Sequence, residues 1–130
     1  MFPHHEAQVT NKLLTGRRVL VVEDEVMILM MIEDMLSDLG CTDVIAAATI
    51  SKALALVAEQ EFDAAMLDLN LSGNSTYEVA DALTARGVPF FFSTGNNLHG
   101  IREGYRDQRI LRKPFAGDDL ARVFTQLFSG

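Results

Sequence analysis

At 130 residues and 48% hydrophobic content the chain suits one domain with a full core and leaves no room for a second. Its 18 acidic against 11 basic residues give a formal net charge of -7, which argues against general nucleic-acid or anionic-membrane binding and favours a protein or a cation as partner. The single cysteine, Cys41, has no internal disulfide partner, Met1-Phe2-Pro3-His4-His5 lacks the apolar core of a signal peptide, and no apolar run nears the ~18 residues of a membrane span, so a soluble cytoplasmic protein is expected.

Residues 1–16 mix polar side chains with a small apolar cluster, Val9, Leu13 and Leu14, before Gly16; they are expected to form a flexible or loosely docked leader ahead of a folded domain over 17–130. His4-His5 has no third ligand nearby, so exposure accounts for the pair better than a metal site. From Arg17 the pattern alternates. Arg18–Val22 reads as a buried strand, β1, and leads into a helix near 25–39 in which Ile28, Ile32, Met35, Leu36 and Leu39 recur at helical spacing, with Gly40 suited to its cap. A second strand, β2, is expected at 43–47. Thr49 can cap a helix through Gln60 with Ala53, Leu54 and Val57 inward, and Phe62–Leu67 reads as β3.

Asn70–Thr76 is polar loop, and Ser75 or Thr76 can cap a third helix ending near Gly87. Val88–Phe92 and Arg109–Arg112 read as β4 and β5, and Asp118 starts a last helix with Leu120, Val123, Phe124 and Leu127 as its apolar face. Strands alternating with helices imply a parallel sheet covered on both sides. Only 14 residues separate Thr94 from Arg109, and loops of about 2–6 residues at each end leave one or two helical turns. Gly95, Gly100 and Gly104 each disfavour helix by about 1 kcal/mol relative to alanine, so a short or irregular fourth helix is expected there.

Glu23-Asp24, Asp68, Thr94 and Lys113 each fall where an apolar run ends, and parallel sheets gather ligands at the carboxyl ends of their strands. Asp68 taken alone is better explained by a strand-end turn than by a nucleophile for phosphoryl groups. Beside Glu23-Asp24 it acquires a second meaning: three carboxylates at about 4–5 Å repel by roughly 3–4 kcal/mol per pair at an effective dielectric of 20. Such a cluster calls for a cation, and all-oxygen ligands of this kind suit Mg²⁺. Lys113 offers a point charge and Thr94 a hydroxyl to phosphoryl oxygens, the lysine being expected to stay solvated and to contribute little to folding. It precedes Pro114, and an X-Pro bond can be cis.

Val19-Leu-Val-Val-Glu-Asp-Glu25, Met66-Leu-Asp-Leu69, Ser93-Thr-Gly95 and Lys113-Pro-Phe115, in this order and spacing over residues 17–129, resemble the receiver domain of two-component response regulators. The resemblance implies a (βα)5 flavodoxin-like fold, a five-stranded parallel sheet in the order 2-1-3-4-5 with helices on both faces. It also implies Asp68 as phosphoacceptor, Glu23 and Asp24 as the acid pair, Thr94 and Lys113 as switch residues, and the Asn70 backbone carbonyl as a further Mg²⁺ ligand. Where the family often carries an aromatic switch residue, three positions before the lysine, this chain has Ile110. Pro89-Phe-Phe-Phe-Ser-Thr-Gly95 further resembles a subgroup with a Pro-Phe-x-Phe-Ala-Thr-Gly motif, whose members are often free-standing, have a reduced fourth helix and pair with kinases of the His-Trp-Glu type or its near relations.

The expected protein is a single-domain regulator, not an enzyme in its own right. It takes a phosphoryl group from a sensor histidine kinase or histidine phosphotransfer protein and signals by protein contact or acts as a phosphate shuttle or sink. Phosphorylation is expected to order the stretch 95–108. Three rivals fit these residues less well. An aspartyl-phosphate phosphatase would need an acid where Asn70 stands, a flavin module would be repelled by Glu23-Asp24-Glu25, and an unphosphorylated scaffold would have no use for the acid, threonine and lysine set.

Overall fold

Short runs rich in valine, leucine, alanine and phenylalanine set the centre of the molecule. The structure is a computed structural model and describes residues 13–95, 102–105 and 107–129. Strands β1 (Arg18–Val22), β2 (Asp43–Ala47), β3 (Ala64–Asp68), β4 (Phe90–Thr94) and β5 (Ile110–Arg112) form one sheet in the order β2-β1-β3-β4-β5, every neighbouring pair parallel. Parallel strands need crossovers, and the described residues supply four helices: α1 (Val26–Asp38), α2 (Ile50–Glu59), α3 (Tyr77–Ala85) and α4 (Gly117–Ser129). The alternation of patterns anticipates the covered parallel sheet, and the strand order is the flavodoxin-like one that the resemblance implies.

The period of two along each strand divides the core. Val19, Val21, Ala64, Met66 and Phe91 face one side, where Ile32 and Leu36 of α1 and Leu120 and Phe124 of α4 cover them. Leu20, Val22, Ala65, Leu67, Phe90 and Phe92 face the other, against Ala53 and Val57 of α2 and Val79, Ala80 and Leu83 of α3. Each large side chain buried in this way contributes about 1.5–3 kcal/mol, so both faces must be covered. Helix α1 stops at Gly40, whose φ of 91° lets Cys41 N–H reach back to Leu36 O at 3.0 Å, as the cap reading requires. At α2, Thr49 accepts a hydrogen bond from Lys52 N–H at 3.1 Å and caps the helix as expected.

The differences from expectation have local causes. Strand β3 begins at Ala64, because Phe62 is buried as a loop residue without joining the ladder. Strand β4 occupies 90–94, so its end carries Thr94 directly; Pro89, which has no N–H to give, precedes it and offers only its carbonyl, to Ala65 N–H at 3.0 Å. Thr76 stands at the N-cap of α3 but makes no side-chain cap bond; its buried hydroxyl donates to Asp68 O at 2.7 Å instead. Within the expected polar loop, Asn70–Leu71 pairs with Asn74–Ser75 as a two-stranded antiparallel ribbon.

Of the 1–16 leader, residues 1–12, with His4-His5, lie outside the described residues. At its described end, Leu13–Gly16, the leader is docked: Leu14 is fully buried and its N–H donates to Leu39 O at 2.8 Å. The expected fourth helix and the stretch expected to order on phosphorylation fall partly on 96–101 and 106, outside the described residues. Their described part holds a 3-10 turn, Glu103–Tyr105. Tyr105 packs its ring against Phe90, Phe92 and Tyr77 and donates its hydroxyl to Asp81 Oδ1 at 2.6 Å; Arg102 Nη2 donates to the same oxygen at 3.0 Å.

Candidate functional site

The sheet ladder brings the polar strand ends together. Glu23 extends β1 by one bond, its N–H donating to Ala47 O at 3.0 Å, and Asp24 follows. Asp68 ends β3, with Leu69 N–H bonded to Ser93 O at 2.8 Å beside it. Thr94 ends β4, and its carbonyl accepts from Lys113 N–H at 2.8 Å, which draws the residue after β5 into the same edge. The Lys113-Pro114 bond is cis. Residues some 90 positions apart in the chain thus meet because neighbouring strands end level.

Lys113 Nζ donates to Glu23 Oε1 at 3.0 Å and to Asp68 Oδ2 at 3.1 Å. The Glu23 side chain is 1% exposed, that of Asp68 8% and that of Lys113 15%, which corrects the expectation of a solvated lysine. Two carboxylates buried side by side repel, and the ammonium between them is the local compensation. Burial, the largest influence on Glu23, pushes its carboxyl above the usual range; hydrogen bonds from Lys113 and Glu25 N–H oppose this, and the charge of Asp68 adds to it. Burial works against the charged form of Lys113, but the hydrogen bond to Glu23 and the charges of Asp68 and Glu23 outweigh it and raise its pKa.

Glu23, Asp24 and Asp68 each offer an oxygen, all within 4.8 Å of one another. Three hard, anionic donors at that spacing fit a small divalent cation that keeps several waters. The half-buried Asp24 accepts a hydrogen bond on Oδ2 from the Ser72 hydroxyl. Asn70 N–H donates to Asp68 Oδ1 at 3.2 Å, while its side-chain Oδ1 accepts from Gly73 N–H at 2.8 Å and so serves the ribbon turn. All the residues singled out in the sequence therefore stand at one edge: Glu23, Asp24, Asp68 and Lys113 in a single cluster, Thr94 buried beside it and Asn70 on the adjoining ribbon. Ser72 was missed. Its only signal was a Ser-Gly pair inside a polar loop, which specifies a turn and not what the turn reaches.

Residues 19–125 match the response regulator receiver domain family. The chain belongs to that family. The receiver is similar to SdrG from Sphingomonas melonis Fr1, known from a solution structure, at 42% identity over 89% of this chain and 98% of that one, with a TM-score of 0.77. The BeF3-activated conformation of SdrG from Pseudomonas melonis Fr1 is similar at 42% identity over 85% and 94% of the two chains, TM-score 0.74. The receiver domain of sensor histidine kinase PA1611 from Pseudomonas aeruginosa PAO1, which has a magnesium ion coordinated in its active site cleft, matches at 28% identity over 89% and 100%, TM-score 0.75. No curated protein matches the chain by sequence. Receivers are signalling domains of two-component systems, and among the described residues no helix is long and apolar enough to cross a membrane.

Proposed function

We propose that this receiver accepts a phosphoryl group on Asp68 from a histidine of a sensor kinase or phosphotransfer protein, in the cytoplasm, and passes the signal on by protein contact or as a phosphate shuttle or sink. The observation that carries this reading is the surroundings of Asp68: a nearly buried carboxylate at a strand end, 3.1 Å from an ammonium and clustered with two further acids. In the transfer, an Asp68 oxygen attacks phosphorus. An O–P bond forms as the N–P bond of the phosphohistidine breaks, the electron pair returns to the imidazole, and that ring takes up a proton.

Glu23, Asp24, Asp68 and the Asn70 backbone carbonyl would hold Mg²⁺, which when bound supplies the positive charge that lets a phosphoryl group approach three carboxylates. Lys113, already on Asp68 Oδ2, is placed to follow the charge onto a phosphoryl oxygen, and the Thr94 hydroxyl donates to another. Asn70 offers no proton to an aspartyl-phosphate, and its amide oxygen is engaged with Gly73, which weighs against the phosphatase reading.

The exposed surface supports a protein donor. Val26, Met27, Met30 and Met31 on α1 are 68%, 83%, 59% and 41% exposed, an apolar stripe uncommon on a free surface. It runs into a groove of about 300 Å³ lined by Ile28, Met31, Lys113, Pro114 and Phe115, at the mouth of the acid site. A donor seated there would bring its phosphohistidine to Asp68, and methionines adapt to such a partner. The central test is to incubate the protein with a small-molecule phosphodonor and Mg²⁺ and weigh it intact. Wild type should gain one hydroxylamine-labile phosphate and Asp68→Asn none; labelling of the variant at the wild-type level would refute the assignment.

A further inference from the structure

In the ribbon turn, one residue's backbone and side chain pull in different directions. Ser72 is the one non-glycine residue with positive φ among the described residues, at 51°, and Gly73 follows at 89°. A two-residue hairpin with both central residues at positive φ favours Asn, Asp or Gly at the first of them, since a Cβ in the left-handed region crowds the neighbouring carbonyl oxygen at a cost in stability. Glycine at 72 would remove that cost. What serine adds is a hydroxyl, and the hydroxyl donates to Asp24 Oδ2, 48 positions away in the chain.

The ribbon has other means of holding its shape. Asn70 pairs with Ser75 and Leu71 with Asn74, Leu71 is buried, and Gly73 N–H donates to Asn70 Oδ1 at 2.8 Å. The consequence of the Ser72 contact therefore falls on Asp24. Glu23 and Asp68 are each held by Lys113 and by a backbone N–H, from Glu25 and Asn70 respectively, both at 3.2 Å. Asp24 is held by Ser72. Its two acidic neighbours repel it, so a donor that fixes its carboxylate opposes its rotation into solvent.

We propose that Ser72 is a positioning residue for the divalent-cation centre: its hydroxyl holds the Asp24 carboxylate so that an oxygen faces the cation shared with Glu23 and Asp68. The proposal rests on the Mg²⁺ reading above. A hydrogen bond to one carboxylate oxygen leaves the other available, and loss of such an outer partner typically costs 10- to 100-fold in metal affinity.

Ser72→Gly separates the two roles, because it relieves the backbone while deleting the hydroxyl. In calorimetric titrations of the full chain with Mg²⁺, Ser72→Gly should bind about tenfold more weakly than wild type. In the metal-free protein, the Asp24 side-chain carboxyl ¹³C resonance should move with the substitution, and more than that of Glu23. Ser72→Ala should lose affinity to a similar extent. Equal affinity in wild type and Ser72→Gly would overturn the proposal, and tighter binding in the variant would overturn it in favour of a hydroxyl that competes with the cation. Weaker binding with an unmoved Asp24 resonance would assign the loss to the turn backbone and overturn it too. Absence of Mg²⁺ binding by wild type, titrated first, would refute the metal centre itself and the proposal with it.

Discussion

Lys113 decides how the site behaves without its cation. Its ammonium is shared by Glu23 and Asp68, both almost withdrawn from water, so removing it leaves two adjacent carboxylates without that partner. Lys113→Ala should therefore destabilise the metal-free protein by ~3 kcal/mol, the lower end of the cost of breaking a buried pair, because the site lies at a sheet edge that water can reach. Thermal melts should show the deficit, and saturating Mg²⁺ should shrink it, since a cation bound to the native arrangement would offset the charge of the same carboxylates. A lysine that matters only for signalling would leave the melt unchanged. Asp24→Ala removes one of the three oxygen donors and should weaken Mg²⁺ binding severely in calorimetry, with little effect on the metal-free melt because Asp24 is only half-buried.

At the scale of an element, Tyr105 fastens the described part of the crossover between β4 and β5, with Arg102 beside it. Tyr105 sits in the α3 side of the core and bonds Asp81 of α3, which Arg102 also reaches. The hydrogen bond from Tyr105 is the largest cause holding the Asp81 carboxyl below its ordinary range; burial opposes it, and Arg102 adds to it. Burial first, and the Asp81 hydrogen bond second, raise the Tyr105 phenol. For Asp81 the folded pKa lies below the unfolded one, so its contribution is present above the unfolded value of about 3.9 and is lost as pH falls through the folded pKa. For Tyr105 the folded pKa lies above the unfolded one, so its contribution is present below about pH 10 and is lost as pH rises through the folded pKa. The stability gap between wild type and Asp81→Asn should accordingly be constant near neutrality and close as pH falls below about 4. Tyr105→Phe should cost about 1 kcal/mol at neutral pH and speed amide exchange at Glu103–Tyr105.

Across the whole molecule, the acid cluster and the α1 stripe occupy one end and one flank, joined by the Phe115 groove. If the stripe seats the phosphodonor, charge placed on it should separate two activities that share Asp68. Met27→Glu with Met30→Glu should slow transfer from a cognate kinase by at least about tenfold, in the manner of a lost interface anchor, while labelling by a small phosphodonor stays at the wild-type rate. Parallel loss of both activities would mean that the substitutions had disturbed the site and not the docking. The melting temperature of the double variant should match wild type, because both methionines point into solvent.

How far the sequence alone reaches follows from the range of each interaction. Periodicity and strand-end polarity are local, so the alternation of elements, the Gly40 and Thr49 caps and the residues Glu23, Asp24, Asp68, Thr94 and Lys113 could be read from the chain itself. Strand limits were less legible at β3 and β4, because an apolar run records hydrophobic character while a ladder records hydrogen bonding: Phe62 is buried without joining the ladder, and Pro89 is exposed and gives the sheet only its carbonyl. Three features belong to the tertiary structure. Lys113 is largely buried because β1 and β3 place two acids against it; Thr76 makes no cap bond and commits its hydroxyl to Asp68 O; Ser72 gains its meaning from Asp24, which the fold brings to the ribbon turn. Each depends on a partner at least eight positions away, and a sequence pattern carries no distance between residues that only the folded sheet brings into contact.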